Sequence, residues 1–130
     1  NLQTAINKEG FDFPCIMGSG GEELYNFTVP KNGILIDKPH YDAFSYTKLK
    51  NILKAHGIKN VLISGVRTEI CVDITAKRAA SEGFDTFILS DLVATYDDKS
   101  MLQENILDLF QKYYGFVVNS KEIVKYFQKI

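Results

Sequence analysis

The feature that most constrains this chain is an alternation of short apolar runs with longer stretches of helical periodicity. Ile34-Leu35-Ile36 follows the turn Lys31-Asn32-Gly33 and ends at Asp37-Lys38-Pro39. Val61-Leu62-Ile63-Ser64 ends at Gly65, Thr86-Phe87-Ile88-Leu89 at Ser90-Asp91, and Phe116-Val117-Val118 at Asn119. Runs that are apolar throughout, rather than alternating, read as strands covered on both faces of a parallel sheet. Between them, Phe44, Leu49, Ile52 and Leu53 share a helical face before His56-Gly57, where the glycine suits a C-terminal cap. Residues 69–82 carry the small side chains Ala76, Ala79 and Ala80, which let a helix lie close to a sheet, and stop at Gly83. Leu102, Ile106, Leu109, Phe110 and Tyr113 form one stripe, with Ser100 and Gln103 spaced for a capping box. Ser120 is placed to cap a last helix running through Tyr126 and Phe127. This order predicts an α/β fold with an open parallel sheet and right-handed crossovers. Ligands in such sheets bind beyond the carboxyl ends of the strands, which selects Asp37-Lys38, residues 65–71 and Ser90-Asp91.

Composition narrows the function classes. The 130 residues include 45% hydrophobic side chains and show no repeat, linker or compositional break, so residues 1–130 read as a single domain. Fifteen basic residues stand against sixteen acidic ones, without charge blocks. Nucleic acid and anionic membrane surfaces are therefore not expected partners. No apolar run approaches the ~20 residues that span a bilayer, and no signal-peptide pattern opens the chain. Two cysteines far apart, Cys15 and Cys71, read as free thiols in a cytoplasmic protein.

The segment Gly65-Val66-Arg67-Thr68-Glu69-Ile70-Cys71 joins a strand to a helix through a tight turn, with Thr68 in position to cap that helix. Cys71 then lies in the first turn, among unpaired N–H groups at the positive end of the dipole, a setting that favours a thiolate. The same N–H groups can hold an oxyanion. The other reading is a buried structural thiol, a common fate of free cysteine. Lys38 ends its apolar run before Pro39; it suits a cation beside a thiolate or a proton donor to a leaving group, and equally a solvated strand-end lysine. Gly18-Ser19-Gly20-Gly21 lacks the third glycine of a dinucleotide loop and has no following GK[ST], so it reads as a turn into a short helix over residues 22–25. His40 and His56 lack metal-ligand spacing; His56 reads as a partner of a helix end and His40 as a surface residue. Cys15 reads as structural. Phe11, Phe13, Tyr41 and Phe44 fit either a pocket wall or the core.

Taken together, Gly65-Val66-x-Thr68-x-x-Cys71-Val72, Thr75-Ala76, Ala79-Ala80 and Gly83-Phe84 resemble the signature of the isochorismatase-like cysteine hydrolases. Lys38-Pro39-x-Tyr41-x-Ala43-Phe44 resembles that family's lysine segment, and Pro14-Cys15 with Gly18-Ser19-x-Gly21-Glu22-Glu23 its preceding loop. The resemblance runs over nearly the whole chain in the same order. It implies a three-layer α/β/α sandwich with a mainly parallel central sheet and an Asp-Lys-Cys triad acting on amides, ureas and related C–N bonds. Cys71 would be the nucleophile and Lys38 the triad lysine. A cis peptide would fall between Val66 and Arg67, with the N–H groups of Arg67 and Cys71 facing the oxyanion. Tyr41, Phe44, Val66 and Thr68 would border the substrate. Arg67, at a variable position, is open to contact with an anionic substrate or to a solvated rim.

Nothing before Lys38 resembles the segment that carries the family's triad aspartate, and Asp12 does not match its context. The expectation is a domain without its N-terminal strand-helix-strand unit. The metal site of the family's nicotinamidases falls in that same segment, so no metal ligand or other cofactor is assigned. The resemblance implies a small-molecule substrate, a homo-oligomer, and a thiolate hydrolase of a small amide, carbamoyl or urea-type compound. Relatives that cleave the vinyl ether of isochorismate generally lack the cysteine, so Cys71 favours amide or urea chemistry, with an isochorismatase-type hydrolase as an alternative. A non-catalytic family member acting as a binding or oligomeric partner is a further one. A redox sensor is a weaker idea, since no resolving cysteine lies near Cys71.

Overall fold

The structure is a computed structural model that describes residues 15, 17–24 and 26–129. The chain divides into two compact units, the first ending at Leu35 and the second running from Ile36. Phe11, Asp12, Phe13 and Pro14 lie outside the described residues.

In the first unit the glycine loop is a set of turns. Gly18 and Gly20 take φ of 81° and 83°, a left-handed region that suits glycine. The Glu22 carboxylate accepts the N–H of Gly18 and is held below the usual carboxylate range chiefly by its own backbone N–H and that of Gly18. A carboxylate thus occupies N–H groups that a phosphate loop would leave for its ligand. The expected helix over 22–25 is absent from the described residues 22–24, which form a turn and a bend.

The second unit is built on a parallel sheet. Helix α1 (Leu49–Ala55) leads to strand β1 (Asn60–Val66), a π-helical turn (Thr68–Val72) and helix α2 (Asp73–Ser81). Strand β2 (Asp85–Ala94) is followed by a short 3-10 turn (Asp97–Lys99), helix α3 (Ser100–Tyr113), strand β3 (Phe116–Val118) and helix α4 (Ser120–Phe127). The three strands pair in the order β1-β2-β3, all parallel, with Leu62, Phe87 and Phe116 in one row and Ile63, Ile88 and Val117 in the next. The pairing then breaks: β1 passes from Ile63 to Gly65 while β2 passes from Ile88 to Val93. This bulge lengthens β2 beyond the sequence expectation, so Ser90-Asp91 lies inside the strand and not at its end.

One face of the sheet is packed. Ile63, Ile88 and Val117 meet Val72 at the start of α2, Ala76 within it, and Leu107 and Phe110 from α3. Leu49 and Leu53 of α1 join Phe44, Ala79, Phe84 and Val61 in an adjoining cluster. The fully buried Ala76 and Ala79 explain the small residues in α2, which bring its backbone close to β1 and β2. Gly115 is needed for a similar reason: a Cβ there would lie 2.3 Å from the Thr86 carbonyl and 2.9 Å from the Phe110 ring. On the other face Leu62 and Phe116 remain 42% and 54% exposed, so the expected two-sided cover holds for one face only among the described residues. Phe87 and Phe116 stack across β2 and β3 with ring centres 4.9 Å apart.

Three local expectations are corrected. Ile34-Leu35-Ile36 carries no strand pairing; apolar content proposes a strand, but a strand exists only with a neighbour to share its ladder. Ser100 and Gln103 form no capping box, because α3 has no side-chain cap and the Gln103 carbonyl is engaged by Thr68. The cap of α4 is Asn119 and not Ser120: its side chain accepts from Lys121 N–H while Glu122 accepts from Asn119 N–H. Ser120 instead gives both its N–H and its hydroxyl to Asp91, at 2.8 and 2.5 Å.

Candidate active site

The site lies at the carboxyl end of β1. Gly65 has φ of 118°, the Val66–Arg67 peptide bond is cis, and the chain then enters the π-helical turn that carries Cys71. Thr68 and Val72 bury both ends of this turn, at 0% and 3% exposure, and fix the half-buried Cys71 between them. Thr68 does not cap the helix as its position suggests. Its buried hydroxyl donates to Gln103 Oε1 at 2.7 Å and ties the turn to α3. The Arg67 carbonyl accepts from the N–H groups of Ile70 and Val72, at 3.1 and 3.2 Å, and passes over the Cys71 N–H between them.

Lys38 reaches this turn from a separate loop. Its Nζ donates to the carbonyls of His40 and Tyr41 at 3.0 and 3.3 Å, and stands 3.9 Å from Cys71 Sγ. Two carbonyls thus orient a cation whose remaining direction faces the sulfur. The loop is itself held to α2: Thr75 Oγ1 accepts the Ala43 N–H at 3.1 Å and donates to the Tyr41 carbonyl at 3.4 Å. Thr75 sits one helical turn beyond Cys71, so one short segment positions both the thiol and the loop that delivers the lysine. Asp42, buried among them, accepts from Phe44 N–H and Ser45 hydroxyl and closes the turn that follows.

The remaining sequence candidates separate. Phe44 is 7% exposed and packs against Phe84 with ring centres 6.1 Å apart, which places it in the core. Val66 and Tyr41 keep 66% and 40% exposure, and the Tyr41 contribution is its carbonyl. Arg67 lies over the Tyr96 ring at 4.7 Å, with Nε 4.0 Å from Glu69 Oε1. His40 stacks obliquely on Tyr46 at 5.2 Å, and His56 at the end of α1 places Nδ1 2.9 Å from the Ile52 carbonyl. Cys15 is exposed. Asp91 holds α4 and lies outside this group. Among the described residues Lys38 makes no ion pair with a carboxylate, and no group of three or more His, Cys, Asp or Glu is placed to hold a metal ion.

Thr75, Gln103 and Tyr96 are the residues that sequence reasoning missed as parts of this assembly. Thr75 was legible only as a motif position; its two bonds to a loop more than thirty residues away need the tertiary structure. Gln103 carried a signal for capping that pointed to the wrong partner.

The Isochorismatase domain family matches residues 1–122. The secreted isochorismatase effector Isc1 of Verticillium dahliae is 30% identical over 106 residues, covering 78% of this chain and 56% of that protein. The ureidoacrylate amidohydrolase RutB of Acinetobacter baylyi is 28% identical over 124 residues, covering 95% of this chain and 46% of that one. The chain thus spans about half the length of these curated relatives. Among solved structures, the nicotinamidase/pyrazinamidase PncA of Bacillus subtilis superposes with a TM-score of 0.76 and 29% identity, over 84% of this chain and 63% of that one. The parallel strand order and this likeness give the three-layer α/β/α fold, and by the span of its match the chain belongs to the Isochorismatase domain family.

Proposed function

We propose that the chain carries the nucleophile of a hydrolase acting on a C–N bond of a small amide, carbamoyl or urea-type compound. The observation that carries this reading is the approach of Lys38 Nζ to within 3.9 Å of Cys71 Sγ at the carboxyl end of a parallel strand. The names of the relatives, a ureidoacrylate amidohydrolase and a nicotinamidase, support the same bond class. In this mechanism the Cys71 sulfur attacks the carbonyl carbon and forms a C–S bond. The oxygen takes up the charge and is met by the N–H groups of Arg67 and Cys71, the latter bypassed by the Arg67 carbonyl. The C–N bond breaks, the thiol proton leaves with the nitrogen as ammonia or an amine, and water hydrolyses the thioester to the acid and free thiol. Lys38 opposes the negative charge on sulfur and on the tetrahedral oxygen. Val66 and Tyr41 border the substrate. The reading extends to a homo-oligomer acting in the cytoplasm, supported by two free thiols and by apolar side chains left exposed on the sheet.

The test is Cys71→Ala in the full chain, assayed by ammonia release from a panel of small amides and ureas. Turnover is expected to fall by roughly 10³-fold or more. Undiminished ammonia release would overturn the reading. One relative's name favours a second activity, isochorismatase-type cleavage of a vinyl ether; vinyl ether hydrolysis that survives Cys71→Ala would identify it. A non-catalytic member is the reading favoured by the absence of a carboxylate on Lys38 among the described residues. It predicts that Cys71 alkylates at neutral pH no faster than a model thiol.

A further inference from the structure

The Arg67 side chain is unused by the mechanism above, which takes only its N–H. Arg67 is the first residue after β1, and Tyr96 lies just beyond β2, whose Ala94 is the register partner of Val66. The guanidinium therefore rests at the carboxyl edge of two adjacent parallel strands, the edge that carries Cys71. Its central carbon lies 4.7 Å from the centre of the Tyr96 ring, a cation–π contact. Glu69 stands at one edge of the group, with Oε1 4.0 Å from Nε, and keeps its own Oε2 buried without a hydrogen-bond partner among the described residues. The Nη edge has no protein acceptor among the described residues, and the side chain is 36% exposed. A planar guanidinium set over an aromatic ring, with Glu69 near its Nε and no protein acceptor at Nη among the described residues, can offer its Nη pair for two parallel hydrogen bonds to a carboxylate.

Resting on the hydrolase reading, we infer that Arg67 is the specificity residue of this site, and that it selects substrates carrying a carboxylate beyond the scissile carbonyl, such as half-amides of dicarboxylic acids. Tyr96 supports the guanidinium through the cation–π contact, Glu69 stands near its Nε edge, and the substrate carboxylate takes the Nη edge. The backbone N–H of the same residue meets the oxyanion, so one residue ties the recognised anion to the reacting carbon.

Succinamate and succinamide test this, because they share a carbon chain and a primary amide but differ in carrying a carboxylate. In the full chain, the ratio of kcat/KM for succinamate over succinamide is expected to drop roughly 10- to 100-fold in Arg67→Met, as for loss of a charge-assisted hydrogen-bond pair, with partial recovery in Arg67→Lys. Both substitutions keep the backbone N–H. A ratio unchanged in Arg67→Met overturns the inference while leaving the hydrolase reading intact. If neither amide releases ammonia, succinamate and succinamide binding is measured by calorimetry on the same proteins. Preferential succinamate binding that Arg67→Met abolishes supports the anion site even with the hydrolase reading lost. Equal binding of the two compounds, or binding of neither, overturns it.

Discussion

At the residue scale, the site depends on a few polar side chains placed by bonds that cross long stretches of chain. Thr75 is the clearest case, since it holds Ala43 N–H and the Tyr41 carbonyl that also receives Lys38. Thr75→Val keeps the shape and removes both bonds. We expect kcat to fall roughly tenfold, in line with one or two net hydrogen bonds of about 1 kcal/mol each, while Thr75→Ser restores it; equal stability and equal kcat in Thr75→Val would contradict the role. The residue types on which the chemistry is proposed stand out in the sequence, a cysteine in a strand-to-helix turn and a lysine before proline, though each alone fits a structural role equally. Their partners were not legible there. Thr68 and Gln103 each suggested a local helix cap, yet the buried Thr68 hydroxyl found the half-buried Gln103 across 35 positions, since burial makes an unpaired hydroxyl costlier than an uncapped helix end exposed to water.

At the element scale, α4 shows how a local signal is redirected. Asn119 and Glu122 close a capping box, and the freed Ser120 binds Asp91 in β2. The Ser120 hydroxyl, then its N–H, holds the Asp91 carboxyl below the ordinary value of 3.8. An acid depressed in the folded state contributes stability that is full above its unfolded value and is lost as pH falls through the folded one. Acidification below about pH 4 should therefore loosen α4, seen as lower protection factors of its amides (exchange rates corrected for the intrinsic pH dependence), and Asp91→Asn should remove that loss of protection; a loss that persists in the variant would assign it to another group. Strands were read well where the chain supplies neighbours. β1, β2 and β3 each grew from its apolar run, whereas 34–36, equally apolar, carries no ladder. The bulge between Ile63 and Gly65 and the extension of β2 to Ala94 were invisible, because register depends on the partner strand.

At the scale of the second unit, the packed face of the sheet is one cooperative core. Phe110, fully buried, meets Val72, Ala76, Ile88 and Val93, and so connects α3 to the turn that holds Cys71. Phe110→Ala is expected to cost about 3–5 kcal/mol, measured by denaturant unfolding. Because Val72 adjoins Cys71, the same variant should also alter Cys71 alkylation; a loss of stability below 1 kcal/mol would show that the core does not couple the two. The sequence by itself determined the α/β class, the order of the elements from α1 to α4 and the two residues on which the chemistry is proposed, since periodicity, turn residues and a motif's side-chain types are all written locally. Only the tertiary structure decided which polar groups meet: the lysine loop stapled by Thr75, the Arg67 guanidinium set over Tyr96, Asp91 spent on a helix end. Hydrogen bonds and stacking act over a few ångströms, and a parallel sheet brings together strand ends that are twenty to thirty residues apart in the chain.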